Sequence, residues 1–433
     1  MGLDLAWTSI PAFERVYGSE LRARRVLPPA RREARVSGAA GGTVLDPLAG
    51  LFSNVLVFDF RSLYPSIMRT FGVDPLAHAR ALARAPRPDD VAAPNGALFE
   101  RGVGIMPSLI ERYAAEREAA IAAGDDTAAY VYKILQNSFY GVLGAEGCRY
   151  ARTELAGAIT SFGKKYLVAS RDFFESRGMR VLYGDTDSVF VESGLGDEAG
   201  AGELQALGAR YAKELNAEIA DSVGREYGLP SYLRIRCEKA YRRFLITRLK
   251  AAAARGEPEA EEGGRGRAKG YAGSLLEGSA RRVEVKGMEA ARSDFTPLAR
   301  RFQVELLELL FAGAGAERLA AFCAGVEAAL LRGELDDRLA YRKSLRRPLE
   351  EYATQTPPVR AAQLAGWKNR RGRISYVMTR SGAEPVERRS GSKLDYQHYI
   401  ELQLEPIALA IADAAGMDAR PWFRSGAQLE LGL

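Results

Sequence analysis

The chain reads as an α+β protein, with an antiparallel sheet and accompanying helices, a helical hairpin, and a mainly helical C-terminal part. Three observations predict this. The apolar run Val55-Leu56-Val57-Phe58 closes on Asp59 as a strand would. Two further runs, Met179 to Tyr183 and Val189 to Val191, flank Gly184-Asp185-Thr186-Asp187 in the manner of a hairpin. From Pro297 onward the pattern is mainly helical.

Taken in order, residues 1 to about 47 carry an Arg-rich stretch, Arg22 to Arg35, then Gly38, Gly41 and Gly42, and predict an exposed lead-in rather than a domain. After the Val55 to Phe58 strand, Tyr64-Pro65 signals a tight turn. Pro107 opens a helix, Gly124-Asp125-Asp126 ends it, and Asp126 or Thr127 is placed to cap a second. Residues 107 to 144 thus form an antiparallel helical hairpin. Ala251 to Gly266 mixes Gly, Ala, Glu and Arg with almost no apolar period, which predicts a mobile loop. Pro348, Pro357-Pro358 and the segment from about Gly382 to Gly391 break the C-terminal helices. No internal repeat is present.

At 433 residues, 47% of them hydrophobic, the chain can bury a large core divided into about three units. Lys and Arg number 61 against 55 Asp and Glu, a net +6 that suits a polyanionic partner without requiring one. Cys148, Cys237 and Cys323 have neither the spacing of a zinc site nor the density of a disulfide scaffold, and read as buried, reduced thiols of a cytoplasmic protein. His78 and His398, the only histidines, show no ligand spacing. No apolar run of about eighteen residues and no charged-then-apolar leader occurs, so neither a membrane span nor a secretory signal is expected.

Asp59 ends one strand, and Asp185 and Asp187 lie between two others, so one sheet can bring all three to a common edge. Period-two alternation puts Asp185 and Asp187 on one face. Acids at strand ends ordinarily serve solubility alone. Three that converge repel unless cations lie between them, and hard oxygen ligands favour Mg²⁺, held by few carboxylates together with substrate phosphates. Two such ions about 4 Å apart suit in-line displacement at phosphorus, leaving the protein to supply positioning and positive charge. Lys133, Asn137 and Tyr140 recur at i, i+4 and i+7 on one face of the second hairpin helix and offer that charge, although a lone helical Lys is ordinarily just solvated.

The residues around Lys133 are more specific than the lysine. K-I-L-Q-N-S-F-Y-G (Lys133 to Gly141) resembles the K-x-x-x-N-S-x-Y-G motif of family B DNA polymerases. D-F-R-S-L-Y-P-S-I (Asp59 to Ile67) and Y-G-D-T-D-S (Tyr183 to Ser188) are similar to that family's other two core motifs, in the family's order. The likeness continues through K-G-Y-A-G (Lys269 to Gly273), K-G-M-E-A-A-R-S-D (Lys286 to Asp294) and Y-R-K-S-L-R-R-P-L (Tyr341 to Leu349), and leans toward the bacterial polymerase II branch. It covers the chain from about Gly41 to Pro406.

The resemblance implies a right-hand architecture, with a palm over 48–104 and 146–295, fingers over 105–145, a mainly helical thumb over 296–433, and 1–47 as a remnant lead-in. It implies template-directed addition of deoxynucleotides to a primer 3′-hydroxyl with release of pyrophosphate, in replication or repair. Two Mg²⁺ ions, replaceable by Mn²⁺, would be held chiefly by Asp59 and Asp187, with Asp185 beside them and Glu238 nearby. Tyr64 would lie under the incoming sugar, where a planar ring leaves no room for a 2′-hydroxyl. Backbone amides of Leu63 and Tyr64, with Arg117, Lys133 and Asn137, would hold the triphosphate, and Tyr140 would complete the nucleotide site. Lys269 and Tyr271 look like the family's K-x-Y pair at the primer end. Lys286 and Arg292 would grip duplex phosphates, and Arg342, Lys343, Arg346 and Arg347 would lie along the duplex from a helical thumb. The implied partners are primer–template DNA, deoxynucleoside triphosphates, and a separate exonuclease or N-terminal subunit or a sliding clamp. The implied location is the cytoplasm, on a bacterial or phage nucleoid.

Two departures stand out. Four residues after Arg117 the family usually places a second cation, where this chain has Ile121, so weaker nucleotide binding is expected. Ahead of Asp59, where the family carries an exonuclease, this chain has no D-x-E on a strand, so no proofreading by this chain is expected. Three alternatives use the same residues: a catalytically idle scaffold for DNA or a partner, one half of a split polymerase docked through Arg22 to Arg35, and a template-free nucleotide transferase. Retention of every metal-site acid argues against idleness, because an unused cluster of like charges costs stability.

Overall fold

A computed structural model describes residues 9–30, 41–248, 266–276, 283–388 and 391–423. The loop expected over 251–266 falls outside them except for its last residue, as do Arg31, Arg32 and Arg35. The chain separates into two compact units: Met1–Leu45, Leu56–Gly194 and Gly202–Lys239 form the first, and Asp46–Val55, Leu195–Ala201 and Ala240–Leu433 the second.

The first unit opens on a helix. Residues 9–23 are not an exposed lead-in but a helix, α1 (Ser9–Ala23), whose Phe13, Tyr17 and Leu21 are buried at i, i+4 and i+8. The arginines around this short apolar stripe hide it from a composition-based reading. Then come β1 (Val44–Leu45) and β2 (Gly50–Phe60), where Leu56, Val57 and Phe58 are buried in succession, as in a strand covered on both faces. Next are α2 (Leu63–Phe71) and α3 (Pro75–Leu82). Tyr64-Pro65 is therefore the first turn of α2 and not a tight turn: an amide at Pro65 would have no intrahelical partner there, so its absence costs nothing.

A two-stranded ribbon, β3 (Val91–Ala92) with β4 (Leu98–Phe99), precedes the helical hairpin of α4 (Met106–Ala122) and α5 (Asp126–Leu143). The hairpin stands where it was expected, but the α5 cap is Asp125, whose side chain accepts from the Ala128 amide at 2.9 Å. The unit continues with α6 (Thr153–Glu175), β5 (Arg180–Asp185), β6 (Ser188–Glu192), α7 (Ala201–Tyr227) and β7 (Ile235–Arg248). Its strands lie in the order β1-β5-β6-β2-β7, with Leu56–Phe60 of β2 and Ile235–Lys239 of β7 belonging to this unit. Phe13 of α1 packs against Phe139 of α5 with ring centres 5.5 Å apart, and Phe71 of α2 stacks on Phe162 of α6 at 3.8 Å.

One buried carboxylate ties these helices together. Asp74 Oδ1 accepts from the amides of Leu76 (2.7 Å) and Ala77 (2.9 Å) at the start of α3. Its Oδ2 accepts from Ile105 (2.9 Å) and Met106 (2.8 Å) at the start of α4. The Tyr17 hydroxyl of α1 donates to it at 3.0 Å. Asp74 thus supplies acceptors to two helix N-termini that would otherwise bury bare donors.

In the second unit the order is β7-β8-β9, with β8 (Gly266–Leu275) and β9 (Val283–Lys286) antiparallel. The helices α8 (Pro297–Phe311) and α9 (Ala316–Leu331) follow, then β10 (Tyr341–Leu345), α10 (Pro357–Leu364), β11 (Gly372–Thr379) and β12 (Gly382–Pro385), and finally α11 (Tyr396–Tyr399) and α12 (Glu405–Ala414) joined by a π turn. Within this mainly helical part the sheet β10-β11-β12 is an addition, and it corrects the helical placement of Arg342 and Lys343: both lie on a strand, so they point to opposite faces. Y-R-K-S-L carries no apolar alternation of its own, and its strand state comes from pairing with β11, where Tyr341 stacks on Tyr376 at 5.1 Å. Pro357-Pro358 opens α10 rather than breaking a helix. All three cysteines are free, Cys148 and Cys323 buried and Cys237 half-buried.

Candidate active site

The acids meet where β2 ends. The Phe60 amide donates to the Asp187 carbonyl at 2.8 Å, which sets Asp59 beside the β5–β6 turn. In that turn Asp185 pairs with Ser188, leaving Thr186 and Asp187 as a two-residue loop. Asp187 therefore lies off the strand, and its position follows from the turn instead of from alternation. Thr186 sits at φ 61°, a conformation that a β-branched residue adopts only when its surroundings hold it there. Its hydroxyl donates to Asp185 Oδ1 at 3.1 Å.

Ser62, at φ 52° and ψ 57°, turns the chain from β2 into α2, and its side chain makes no capping hydrogen bond. The first-turn amides of Leu63 and Tyr64 are left facing a ready-made anion position. Tyr64 rests against Tyr140 of α5, ring centres 4.3 Å apart. Burial, with Tyr140 and the charges of Asp187 and Asp185, pushes the Tyr64 hydroxyl up to about 12, so it stays protonated.

A single cavity of about 650 Å³ gathers these parts. Its wall holds Asp59, Leu63, Tyr64, Arg117, Lys133, Asn137, Asp187 and Glu238, all expected from the sequence, together with Arg61, Ser62, Thr186 and Arg236, which were not. Asp185 and Tyr140 do not line it. Arg236 and Glu238 share one face of β7, 3.6 Å apart, and the alternation over Ile235 to Glu238 is a signal that could have found Arg236. Burial first, then the negative charges of Asp187 and Glu238, push the Asp59 carboxyl up to about 7 against the pull of Arg236 and Lys239.

This mutual destabilisation of carboxylates fits a divalent cation. Among the described residues no three His, Cys, Asp or Glu side chains cage an ion by themselves, but Mg²⁺ is commonly held by one or two carboxylates with substrate phosphates. An orphaned donor fits the phosphates: Arg117 Nε is buried with no partner. Ile121, half exposed, lies instead on an adjoining cavity of about 180 Å³ with Arg61, Arg69, Arg117 and Arg234.

The second unit brings together other expected residues. Tyr271 on β8 pairs with Lys286 on β9. Gly287, at φ 62°, leaves no room for a side chain, since a Cβ would fall 1.7 Å from the Lys269 carbonyl oxygen. Arg292 pairs with Asp294 at 2.9 Å, and Lys343 reaches the same carboxylate at 3.3 Å. Arg342 and Arg346 are exposed on and just after β10. Among the described residues no helix is long and apolar enough to cross a membrane.

The chain is similar to known proteins along most of its length. The model of DNA polymerase family B matches residues 19–411. DNA polymerase II of Escherichia coli K12 is 36% identical over 418 residues, covering 93% of this chain and 51% of that protein. DNA polymerase 2 of Aeropyrum pernix is 27% identical, with 94% and 48% covered. The structure of the family B DNA polymerase from Pyrobaculum calidifontis superposes with a TM-score of 0.64 at 26% identity, covering 95% of this chain and 52% of that one. The chain thus spans about half the length of the relatives it matches.

Proposed function

The chain belongs to DNA polymerase family B, and on that premise we propose that it is a template-directed DNA polymerase whose active site is the cavity of the first unit. The observation that carries this reading is the convergence, on one cavity wall, of Asp59, Asp187 and Glu238 with the uncapped start of α2 and the Lys133–Asn137 face of α5.

In this reading the α2 amides, Lys133, Asn137 and the orphaned Arg117 Nε hold an incoming triphosphate. The charge they place on it is present before the reaction begins and needs no reorganisation. Tyr64, backed by Tyr140, occupies the space a 2′-hydroxyl would need and selects deoxynucleotides. Asp59 and Asp187, with Asp185 and Glu238 in support, would hold two Mg²⁺ ions. When bound, these ions lower the pKa of the primer 3′-hydroxyl and neutralise the leaving pyrophosphate oxygens. Lys269, Tyr271, Lys286, Arg292, Arg342 and Arg346 would meet primer–template phosphates, which position the duplex without reading its sequence. Arg292 holds Asp294 through Nε and Nη2, which leaves Nη1 for a phosphate. We assign no proofreading to this chain.

The test is extension of a labelled primer on a DNA template with Mg²⁺ and all four deoxynucleotides, run beside Asp187→Asn. Extension that follows the template and is lost in the variant supports the reading. Duplex binding without extension overturns it in favour of an idle scaffold or half of a split enzyme, and extension without a template favours the transferase.

A further inference from the structure

We infer that the strap Gly42–Leu45 positions the acidic turn, and that Gly42 is the residue on which the placement of Asp185 and Asp187 depends. The inference rests on the metal-site reading above.

The strap runs antiparallel to the end of β5, with Val44 opposite Asp185 and Leu45 opposite Gly184. One residue further, the Thr186 amide donates to the Thr43 carbonyl at 2.8 Å. Gly42 then lies directly on the Thr186 side chain. A Cβ at position 42 would fall 2.3 Å from Thr186 Oγ1, 2.8 Å from Cγ2 and 3.0 Å from Cβ. Real Cβ atoms do not approach this closely, so either the strap or Thr186 would have to move. The fit recurs one step along, where a Cβ on Gly184 would meet Leu45 Cδ1 at 2.6 Å.

Thr186 has little freedom to yield. Its backbone is already in the left-handed region, its amide is held by Thr43, and its hydroxyl is held by Asp185. Asp187 follows directly, with its amide on the Asp185 carbonyl and its own carbonyl on the Phe60 amide. A methyl group at position 42 is therefore transmitted through Thr186 to both neighbouring carboxylates. Gly41 provides a contrast, since nothing lies within 4 Å of a Cβ there.

Gly42 is thus a positioning residue that acts through Thr186. The test measures Mn²⁺ binding to the full chain by electron paramagnetic resonance of the free ion, with primer extension and thermal melting alongside. Gly42→Ala is expected to weaken Mn²⁺ binding roughly tenfold or more, as loss of an outer contact to a metal ligand does. It should lower kcat by a similar factor and leave the nucleotide KM nearly unchanged. Gly41→Ala should match the parent. Thr186→Gly removes all three atoms that a new Cβ would meet and itself tolerates the left-handed backbone. In that background Gly42→Ala should have no further effect.

Parent-like Mn²⁺ binding by Gly42→Ala overturns the inference. So does an equal weakening with and without the Thr186 side chain, which would mark a general folding defect. Asp187→Asn, measured in parallel, should lose Mn²⁺ binding; if it does not, the metal-site reading itself falls, whatever the strap variants show.

Discussion

Replacing Asp59 with Asn removes a carboxyl whose pKa stands at about 7 rather than its ordinary 3.8 because it is partly buried near Asp187 and Glu238. Between these two values the folded chain keeps a proton that the unfolded chain has released. The slope of stability with pH is then negative. The penalty is absent below about 3.8, grows as the pH rises, and is complete above about 7. Converted in full at about 1.36 kcal/mol per pKa unit, the shift would be worth roughly 4 kcal/mol. Asp59 is only half-buried, and solvent screening reduces this to about 1–2 kcal/mol. Without divalent ions, Asp59→Asn should therefore raise the melting temperature of the first unit by roughly 2–4 °C at pH 8. At pH 4, near the ordinary carboxyl pKa, the gain should shrink to little. Circular-dichroism melts of both proteins in EDTA at the two pH values measure this, and a variant less stable than the parent at pH 8, or equally shifted at both, refutes the electrostatic account.

Other residues give further tests. Tyr17→Phe deletes the hydroxyl that α1 contributes to Asp74 and should cost roughly 1.5–3 kcal/mol in urea unfolding, the range for a hydrogen bond to a charged group; no loss would mean that α1 is not anchored there. Ile121→Lys restores a cation one helical turn beyond Arg117 and should lower the apparent nucleotide KM several-fold in steady-state extension, roughly 1 kcal/mol of binding; an unchanged or higher KM counts against a missing phosphate contact. Primer–template affinity should fall steeply with salt, and Lys286→Ala should reduce the slope of log affinity against log salt by about 1, whereas an unchanged slope removes Lys286 from the duplex contacts.

Much of the site was legible in the sequence because its chemistry is carried by short motifs. An apolar strand that ends in Asp59, a hairpin with acids at its tip, and a helix carrying Lys133, Asn137 and Tyr140 on one face are patterns over neighbouring residues, and periodicity places the strand and helix residues while the two-residue turn places Asp187. The family followed from the same motifs.

What only the tertiary structure decided depends on partners far apart in the chain. Asp74 has no local mark of importance, yet it caps two helices and receives Tyr17 from a segment read as a lead-in. Tyr341 to Leu345 becomes a strand because β11 supplies the hydrogen bonds, and no alternation within five polar-rich residues could announce it. Gly42 matters because Thr186 occupies the space its side chain would need. Local periodicity fixes which face a residue presents, but what meets that face is set by packing between segments, and close contacts of this kind have no trace in spacing or composition.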